Sequence, residues 1–148
     1  MKVKQFALLG AAFLFTSVAF AQVKPADAIH YRKSAYTVLV WNWMPLVNTV
    51  RGKTPYVKAD FERYANRVAQ IAPMLLEGFP AGSGVGKTES KPEIWKNWAD
   101  FQLKMKAFET ESAALATLSK GGDFEKIKAQ FGKVGGTCKS CHDKYKAD

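Results

Sequence analysis

Apolar residues recur at alternating steps of three and four through most of this chain, a spacing that restricts it to packed helices. Such steps keep one stripe of an α-helix apolar, and helices with such stripes pack at a shallow angle near +20°. No segment alternates apolar and polar residues as a half-buried strand does. We call the four sets seams 1 to 4: Ile29, Tyr36, Val40, Trp43, Val47 and Val50, with Lys33 in the remaining slot; Phe61, Tyr64, Val68, Ile71 and Leu75; Ile94, Trp98, Phe101, Met105, Phe108, Ser112 and Leu115; and Phe124, Ile127, Phe131, Val134, Cys138, Cys141 and Tyr145.

The segments between the seams predict how the helices are connected. Gly-Lys-Thr-Pro at 52–55 separates seams 1 and 2, and a longer connection runs over 78–92. Residues 119–123 close seam 3 and place Asp123 where it can cap the helix of seam 4. Short connections join antiparallel neighbours, so the sequence predicts an all-α fold, an antiparallel (up-down) four-helix bundle.

One connecting segment resembles a nucleotide-binding motif in its sequence. Residues 81–88, Ala-Gly-Ser-Gly-Val-Gly-Lys-Thr, fit a loosened phosphate-binding loop, with alanine where the strict form has glycine. Such a loop must leave a strand and open a helix whose N-terminus faces the phosphates. Phe79-Pro80 precedes this segment and Pro92 follows it closely, so we interpret it as a flexible loop.

The most informative motif for function is Cys-Lys-Ser-Cys-His, formed by Cys138, Cys141 and His142 near the C-terminus. Cys-x-x-Cys-His is the attachment signature of c-type haem. Each thiol can add across a haem vinyl group to form a thioether, and the adjacent histidine can reach the iron. On a helix the three residues lie at i, i+3 and i+4 and share one face. Because Cys138 and Cys141 lie on seam 4, the motif predicts one covalent haem c inside the bundle near the C-terminus, with His142 as the metal ligand.

Three other interpretations of the motif are weaker. A structural zinc site takes about four ligands, and only His30 is left to join these three. A thioredoxin-like redox pair needs a strand–helix context that the pattern lacks. A disulfide across two intervening residues would be strained and would not need His142.

The N-terminus predicts export. Lys2 and Lys4 precede an apolar run over about 6–20, which ends in an Ala-Phe-Ala cleavage site, so residues 1–21 are interpreted as a cleaved signal peptide. The run is short for a membrane-spanning helix, although a retained anchor is the alternative. We therefore expect one mature domain, residues 22–148, in the periplasm and without a membrane segment after cleavage. Bacterial c-type haem is attached outside the cytoplasm, which agrees with export.

The net charge of the chain indicates which classes of partner it can bind. The formal net charge is +9, and loss of Lys2 and Lys4 with the signal peptide leaves +7. The lysines are interspersed with acids, so we interpret them first as solvated helix faces and second as a docking surface for an acidic redox protein. No basic-aromatic motif indicates nucleic-acid binding.

A haem motif at the extreme C-terminus of an exported four-helix bundle resembles the cytochrome c′ family. The resemblance covers essentially the whole mature chain and is carried by residues 24–35, 52–56, 91–95 and 131–145. It implies a covalently bound haem c, a homodimer, and five-coordinate high-spin iron with His142 as the only protein ligand. It also implies binding of nitric oxide and carbon monoxide, with roles in gas binding, nitric oxide resistance or electron transfer.

The resemblance also assigns roles to five further residues. Tyr36 falls where low-spin relatives carry a methionine ligand and five-coordinate relatives carry a bulky residue, so its ring should shield the iron. Arg32 and Lys33 are expected at the haem propionates or the haem edge. Glu89 lies near the position of an acidic haem neighbour. Lys146 replaces an arginine that many relatives carry on the proximal side; it keeps the charge but loses the planar fork.

A six-coordinate iron in a pure electron carrier remains the alternative. Its sixth ligand would be Met44, Met74, Met105 or His30, each of which is more often a core or surface residue. The redox partner is not identified by the sequence. No nucleophile–base pair and no second metal motif are present, so we do not expect an enzyme.

Overall fold

The computed structural model describes residues 23–147, and within this range it is helical with no strand. The predicted signal peptide, residues 1–21, lies outside the described residues. Among residues 23–147, none of the helices combines the length and the apolar character needed to cross a membrane. The helices are α1 (Pro25–Val50), α2 (Lys58–Ile71), α3 (Glu93–Lys96), α4 (Trp98–Gly121) and α5 (Phe124–Tyr145), and a 3₁₀ helix (Ala72–Gly78) continues α2.

The long helices form the predicted four-helix bundle. Neighbours pack in the order α1, α2, α4 and α5, and the 3₁₀ helix packs against α1, α2 and α4. Along the described chain, α1 and α5 do not pack closely over their length, so the bundle has one open edge. The stacked rings of Trp43 on α1 and Phe131 on α5 bridge this edge, with centroids 4.3 Å apart.

Seams 2, 3 and 4 form the core, as predicted. Every residue of these seams is buried or half-buried, and all except the buried Ser112 belong to one continuous apolar cluster with Leu39 and Leu46 of α1. The residues of seam 3 are divided between α3 and α4, because the backbone leaves the helical conformation at Asn97. Burial of a large apolar side chain contributes about 1.5–3 kcal/mol relative to leaving it exposed, so these seams supply the main stabilising term.

The prediction for seam 1 is partly wrong. Val40 is 50% exposed and Lys33 is also exposed, whereas Leu39 and Leu46 are buried in their place. Ile29 is buried as expected. The physical reason is the position of α1 at the open edge: one flank packs against α2, and the predicted seam faces the opening towards α5.

The helix ends follow local chemistry. The α-helical part of α2 ends before Pro73, which has no N–H to donate, and the chain tightens into the 3₁₀ helix. Gly122 takes a left-handed conformation, φ 76°, where α4 ends. Asp123 caps α5 as predicted, since its Oδ1 accepts a hydrogen bond of 3.2 Å from the backbone N–H of Lys126. The cap fixes the start of the helix that carries the haem motif.

Residues 81–88 form turns and bends, which confirms the loop interpretation. Within the described residues a 3₁₀ helix rather than a strand precedes this loop, and the next helix begins only at Glu93. The loop is not free on the surface, however, because Arg32 of α1 is hydrogen-bonded to it. It therefore forms a fixed wall at one end of the bundle.

Candidate haem-attachment site

The last turns of α5 carry the haem motif at the open edge of the bundle. Cys138 and Cys141 are half-buried, free thiols that pack against the apolar core. His142 is exposed at the rim, one residue further along the helix. The helical spacing thus presents both sulfur atoms towards the interior and leaves the imidazole next to them.

A cleft of about 940 Å³ opens between α1 and α5 beside this motif. This volume lies near the upper end of the range of small-molecule sites, roughly 300–1,000 Å³. Its apolar wall includes Phe79, Ile94, Phe101 and Tyr145, and Cys141 lies at the same wall. A flat apolar macrocycle held by thioethers would need such a space, so the residues present fit a c-type haem.

The predicted site residues meet at this cleft. Cys141 and His142 of α5 line it together with Tyr36, Arg32 and Lys33 of α1 and with Glu89 of the loop. Cys138 does not line the cleft; it lies one turn earlier on α5 and packs against the core. The structure therefore brings together residues that are up to 110 positions apart in the chain.

The electrostatics of the thiols do not fit a redox-active pair. Burial raises the pKa of the Cys141 thiol to about 11 and also raises the pKa of Cys138. Redox-active Cys-x-x-Cys pairs instead depend on a lowered thiol pKa. Burial, followed by the charge of Lys146, lowers the pKa of His142 and favours the neutral imidazole that ligates metals.

The zinc interpretation gains no support from the structure. Within residues 23–147 there is no group of three or more His, Cys, Asp and Glu side chains arranged to hold a metal ion. His30, the fourth ligand that this interpretation needs, is exposed near the start of α1 and does not line the cleft.

Tyr36 lies on α1 across the cleft from the motif. Its hydroxyl points to the Sδ of Met105 at 3.9 Å, a weak contact with a buried thioether. Burial raises the pKa of Tyr36 far above its ordinary value, so the phenol is neutral at every physiological pH. Tyr36 thus lines the cleft and also packs against the core.

Arg32 is buried at the end of the cleft, and its guanidinium is occupied by the loop. Its Nη1 and Nη2 donate to the carbonyl oxygens of Gly78 and Ser83 and to the hydroxyls of Ser83 and Thr88. These partners fix the loop against α1. A contact between Arg32 and a haem propionate stays a prediction.

Lys33, Glu89 and Lys146 form a polar rim around His142. Lys33 is exposed, which corrects the expectation that it lies on a buried seam. The Oε2 of Glu89 lies 2.9 Å from the Nζ of Lys146. This ion pair lowers the pKa of Glu89 below its ordinary value. The expected haem contacts of Lys33 and Glu89 stay predictions.

Sequence reasoning missed several lining residues. Phe79 and Thr88 follow no periodic pattern, and only the long-range contacts of Arg32 bring them to the cleft. Trp41 and Met44 lie off seam 1 but line the cleft because α1 is at the edge. The sequence signal that could have identified Trp41 and Met44 as lining residues is the absence of charged side chains from residues 34–50.

Comparison with known proteins decides the family. A sequence-family model described as Cytochrome C′ matches residues 27–146. The chain belongs to the cytochrome c′ family. Proteins of this family carry a covalent c-type haem, and Cys138, Cys141 and His142 fit its attachment.

The match extends over nearly the whole length of each relative described here. Cytochrome c′ from Rubrivivax gelatinosus is 38% identical over 125 residues, covering 83% of this chain and 96% of the relative. The solved cytochrome c prime from Shewanella frigidimarina is 42% identical with a TM-score of 0.83, covering 84% of this chain and 98% of that chain. A nitric oxide complex of a cytochrome c prime variant from Alcaligenes xylosoxidans is 33% identical with a TM-score of 0.79, covering 84% and 98%. This cytochrome c′ is therefore a haem protein of a family associated with gas binding or electron transfer.

Proposed function

We propose that this protein is a periplasmic cytochrome c′ that holds a five-coordinate, high-spin iron and binds nitric oxide and carbon monoxide. One observation carries the proposal: Cys141, His142 and Tyr36 line the same cleft from two different helices. The haem, when bound, supplies an iron that can coordinate a diatomic gas. In this proposal His142 is its only protein ligand, and Cys138 and Cys141 form the thioethers.

The side chain of Tyr36 determines access to the iron in this proposal. A neutral phenol is a poor iron ligand, so the ring shields the metal and leaves it five-coordinate. A diatomic gas must displace the ring, which lowers affinity and favours strong binders such as nitric oxide. The ring of Tyr36 packs against the core, and its hydroxyl adds only the weak contact with Met105.

Electron transfer through a six-coordinate iron is the second candidate. Two observations favour it: Met44 lines the cleft, and the Sδ of Met105 lies 3.9 Å from the hydroxyl of Tyr36. Met44 is eight residues from Tyr36 along α1, a rise of about 12 Å, and Met105 does not line the cleft. His30 and Met74 do not line the cleft. These positions support the five-coordinate proposal over the carrier.

Optical spectra of the purified protein test this choice directly. The ferric and ferrous forms are measured before and after addition of carbon monoxide. We expect a high-spin ferrous band that converts when the gas is added. A sharp low-spin spectrum that ignores carbon monoxide would mean a sixth protein ligand and would establish the electron carrier instead. A Met105→Leu variant identifies that ligand, since it would restore the high-spin band if Met105 were bound.

We further propose that two copies associate through α1. Residues 34–50 contain no charged side chain, yet Val38, which does not line the cleft, is 50% exposed, and Trp41, which lines it, is still 76% exposed. A solvated helix face normally carries charges, and an exposed apolar strip on a chain of high net charge indicates a contact surface. A second copy presents the same uncharged strip, so two strips meet without charge repulsion.

Light scattering during size-exclusion chromatography tests the dimer. The wild-type protein should have twice the mass of one chain, and Trp41→Ser should shift it to the monomer. Leu103→Ser is the matched control, because Leu103 is a similarly exposed apolar residue, 70% exposed, that lies on α4 outside this strip. A monomeric wild type would contradict the association, and a dimer lost only in Leu103→Ser would move it to α4.

Export is proposed from the sequence of residues 1–21. Cell fractionation should recover the haem protein in the periplasm, and N-terminal sequencing of that material should begin at Gln22. Haem protein that remains in the membrane fraction would support a retained anchor instead.

A further inference from the structure

Arg32 is buried, and the protein groups that accept its side-chain hydrogen bonds within residues 23–147 are neutral oxygens. Arg32 is 3% exposed, and its guanidinium donates to oxygens of the loop and of the end of the 3₁₀ helix. Nη1 donates to the carbonyl of Gly78 at 3.0 Å and to the Oγ of Ser83 at 3.1 Å. Nη2 donates to the carbonyl of Ser83 and to the Oγ1 of Thr88, both at 2.8 Å. A buried cation is retained only when such groups compensate its lost hydration.

The surrounding side chains also hold this guanidinium in one place. It lies over the rings of Phe79 and Trp95, at 5.1 Å and 5.8 Å from their centroids. Gly78 is needed for the approach, because a Cβ there would collide with the Cβ of Arg32. Three hydrogen bonds to Ser83 and Thr88 therefore fix the loop to α1 at a single residue, and the carbonyl of Gly78 and the two rings hold the guanidinium in place.

Thr88 extends this attachment towards the end of the loop. Its Oγ1 accepts hydrogen bonds from the Nη2 of Arg32 at 2.8 Å and from the backbone N–H of Ser90 at 3.1 Å. One hydroxyl thus joins the buried arginine to the backbone of residues 88–91.

Residues 88–91 are in turn paired with the C-terminal end of α5. The N–H of Lys91 donates to the carbonyl of Tyr145 at 2.9 Å, and the N–H of Ala147 donates to the carbonyl of Glu89 at 2.7 Å. The side chains of Glu89 and Lys146 add an ion pair. The N–H of Lys146 also donates to the carbonyl of His142 at 3.1 Å. A continuous set of hydrogen bonds therefore runs from α1 to the helix turn that carries His142.

We propose that Arg32 and Thr88 are positioning residues for His142. They hold residues 88–91 against the end of α5 and so restrict the orientation of the turn from which the imidazole projects. Residues that orient a metal ligand from outside its coordination shell commonly tune the strength of the bond. The inference rests on the proposed function, since it takes His142 as the iron ligand.

The histidine–iron stretching band of the ferrous haem protein, measured by resonance Raman spectroscopy, tests the proposal. Thr88→Val keeps the shape of the side chain but removes the shared oxygen, and Arg32→Lys keeps the charge but removes the fork. We expect both variants to broaden the band and move it to lower frequency by more than the spread between wild-type preparations. Combining them should give little further change, because both break the same connection.

Thr117→Val is the matched control. Thr117 is exposed on α4, and its hydroxyl donates only within its own helix, to the carbonyl of Ala113. It should leave the band unchanged. Should Arg32→Lys fail to fold, Thr88→Val alone still decides the question.

Thermal unfolding of the same proteins separates positioning from a purely structural role. A lower melting temperature in Thr88→Val with an unchanged band would overturn the inference, because the loop would then stabilise the fold without orienting His142. The proposed function fails differently: a wild-type protein with no histidine–iron band would overturn both proposals.

Discussion

Glu89 and Lys146 form an ion pair of 2.9 Å one helical turn after His142. The pair connects the loop to the end of α5 at the rim of the cleft. Hydrogen bonding to Lys146, and then its charge, lowers the pKa of Glu89 below the ordinary value of 4.5. Both side chains are exposed, so salt screens this interaction.

The lowered pKa of Glu89 makes its contribution to folding stability sensitive to acid. Because the folded carboxyl has the lower pKa, its contribution to stability is present above about pH 4.5 and is lost as the pH falls through the depressed value. Glu89→Gln should remove this part of the acid dependence, as measured by urea unfolding across the acid range. Glu93→Gln is the control, since its pair with Lys96 lies at 3.8 Å within one short helix. Equal acid dependence in wild type and Glu89→Gln would contradict the prediction.

Removal of the ring of Tyr36 should raise gas affinity. In the wild type a gas must displace the ring, at a free-energy cost of about 1–3 kcal/mol, the usual cost of forcing atoms into a packed site. Tyr36→Ala removes this cost. The carbon monoxide affinity measured by optical titration should therefore rise by roughly 5–150-fold. Tyr36→Phe keeps the ring and should stay within about two-fold of wild type, because the contact with Met105 is weak. An unchanged affinity in Tyr36→Ala would remove Tyr36 from the distal role.

The stack of Trp43 on Phe131 should couple α1 to α5. The rings are 4.3 Å apart and nearly parallel, with 5° between their planes. Such pairs contribute about 0.5–1.5 kcal/mol beyond their buried area. A double-mutant cycle with Trp43→Leu and Phe131→Leu should show a coupling energy of that size in urea unfolding. Additive single effects would mean that the two helices meet here without a specific interaction.

The cap at Asp123 should contribute measurably to the stability of α5. Asp123→Ala removes the acceptor for the N–H of Lys126 and should cost about 1 kcal/mol in the free energy of unfolding. Asp123→Asn keeps a capping oxygen and should cost much less. Urea denaturation of the two variants makes the comparison, and equal losses would show that charge rather than capping is responsible.

Features with local causes were predicted well. The spacing of Cys138, Cys141 and His142 places them together at the end of one helix whatever the rest of the fold does. Asp123 caps the helix that follows it because the acceptor and donor are three residues apart. Seams 2 to 4 are buried as expected, since each of these helices has a single apolar stripe.

Features that depend on distant partners were not predicted. Arg32 reaches oxygens 46 to 56 positions away, which no local pattern encodes. The burial of α1 was only partly predicted, because a helix at the edge of a bundle has apolar residues on two flanks. Lys33 was consequently assigned to a buried seam although it is exposed at the rim.

The sequence by itself determined the helical class and the haem-attachment motif, and its resemblance to known proteins identified the family. The first two follow from periodicity and from spacings of a few residues, which a helix converts directly into shared faces. Only the tertiary structure decided which side of α1 faces the cleft, that the buried charge of Arg32 secures the loop, and that Glu89 meets Lys146. Those outcomes depend on which elements become neighbours, and burial and hydrogen bonding then select among side chains that the sequence leaves equivalent.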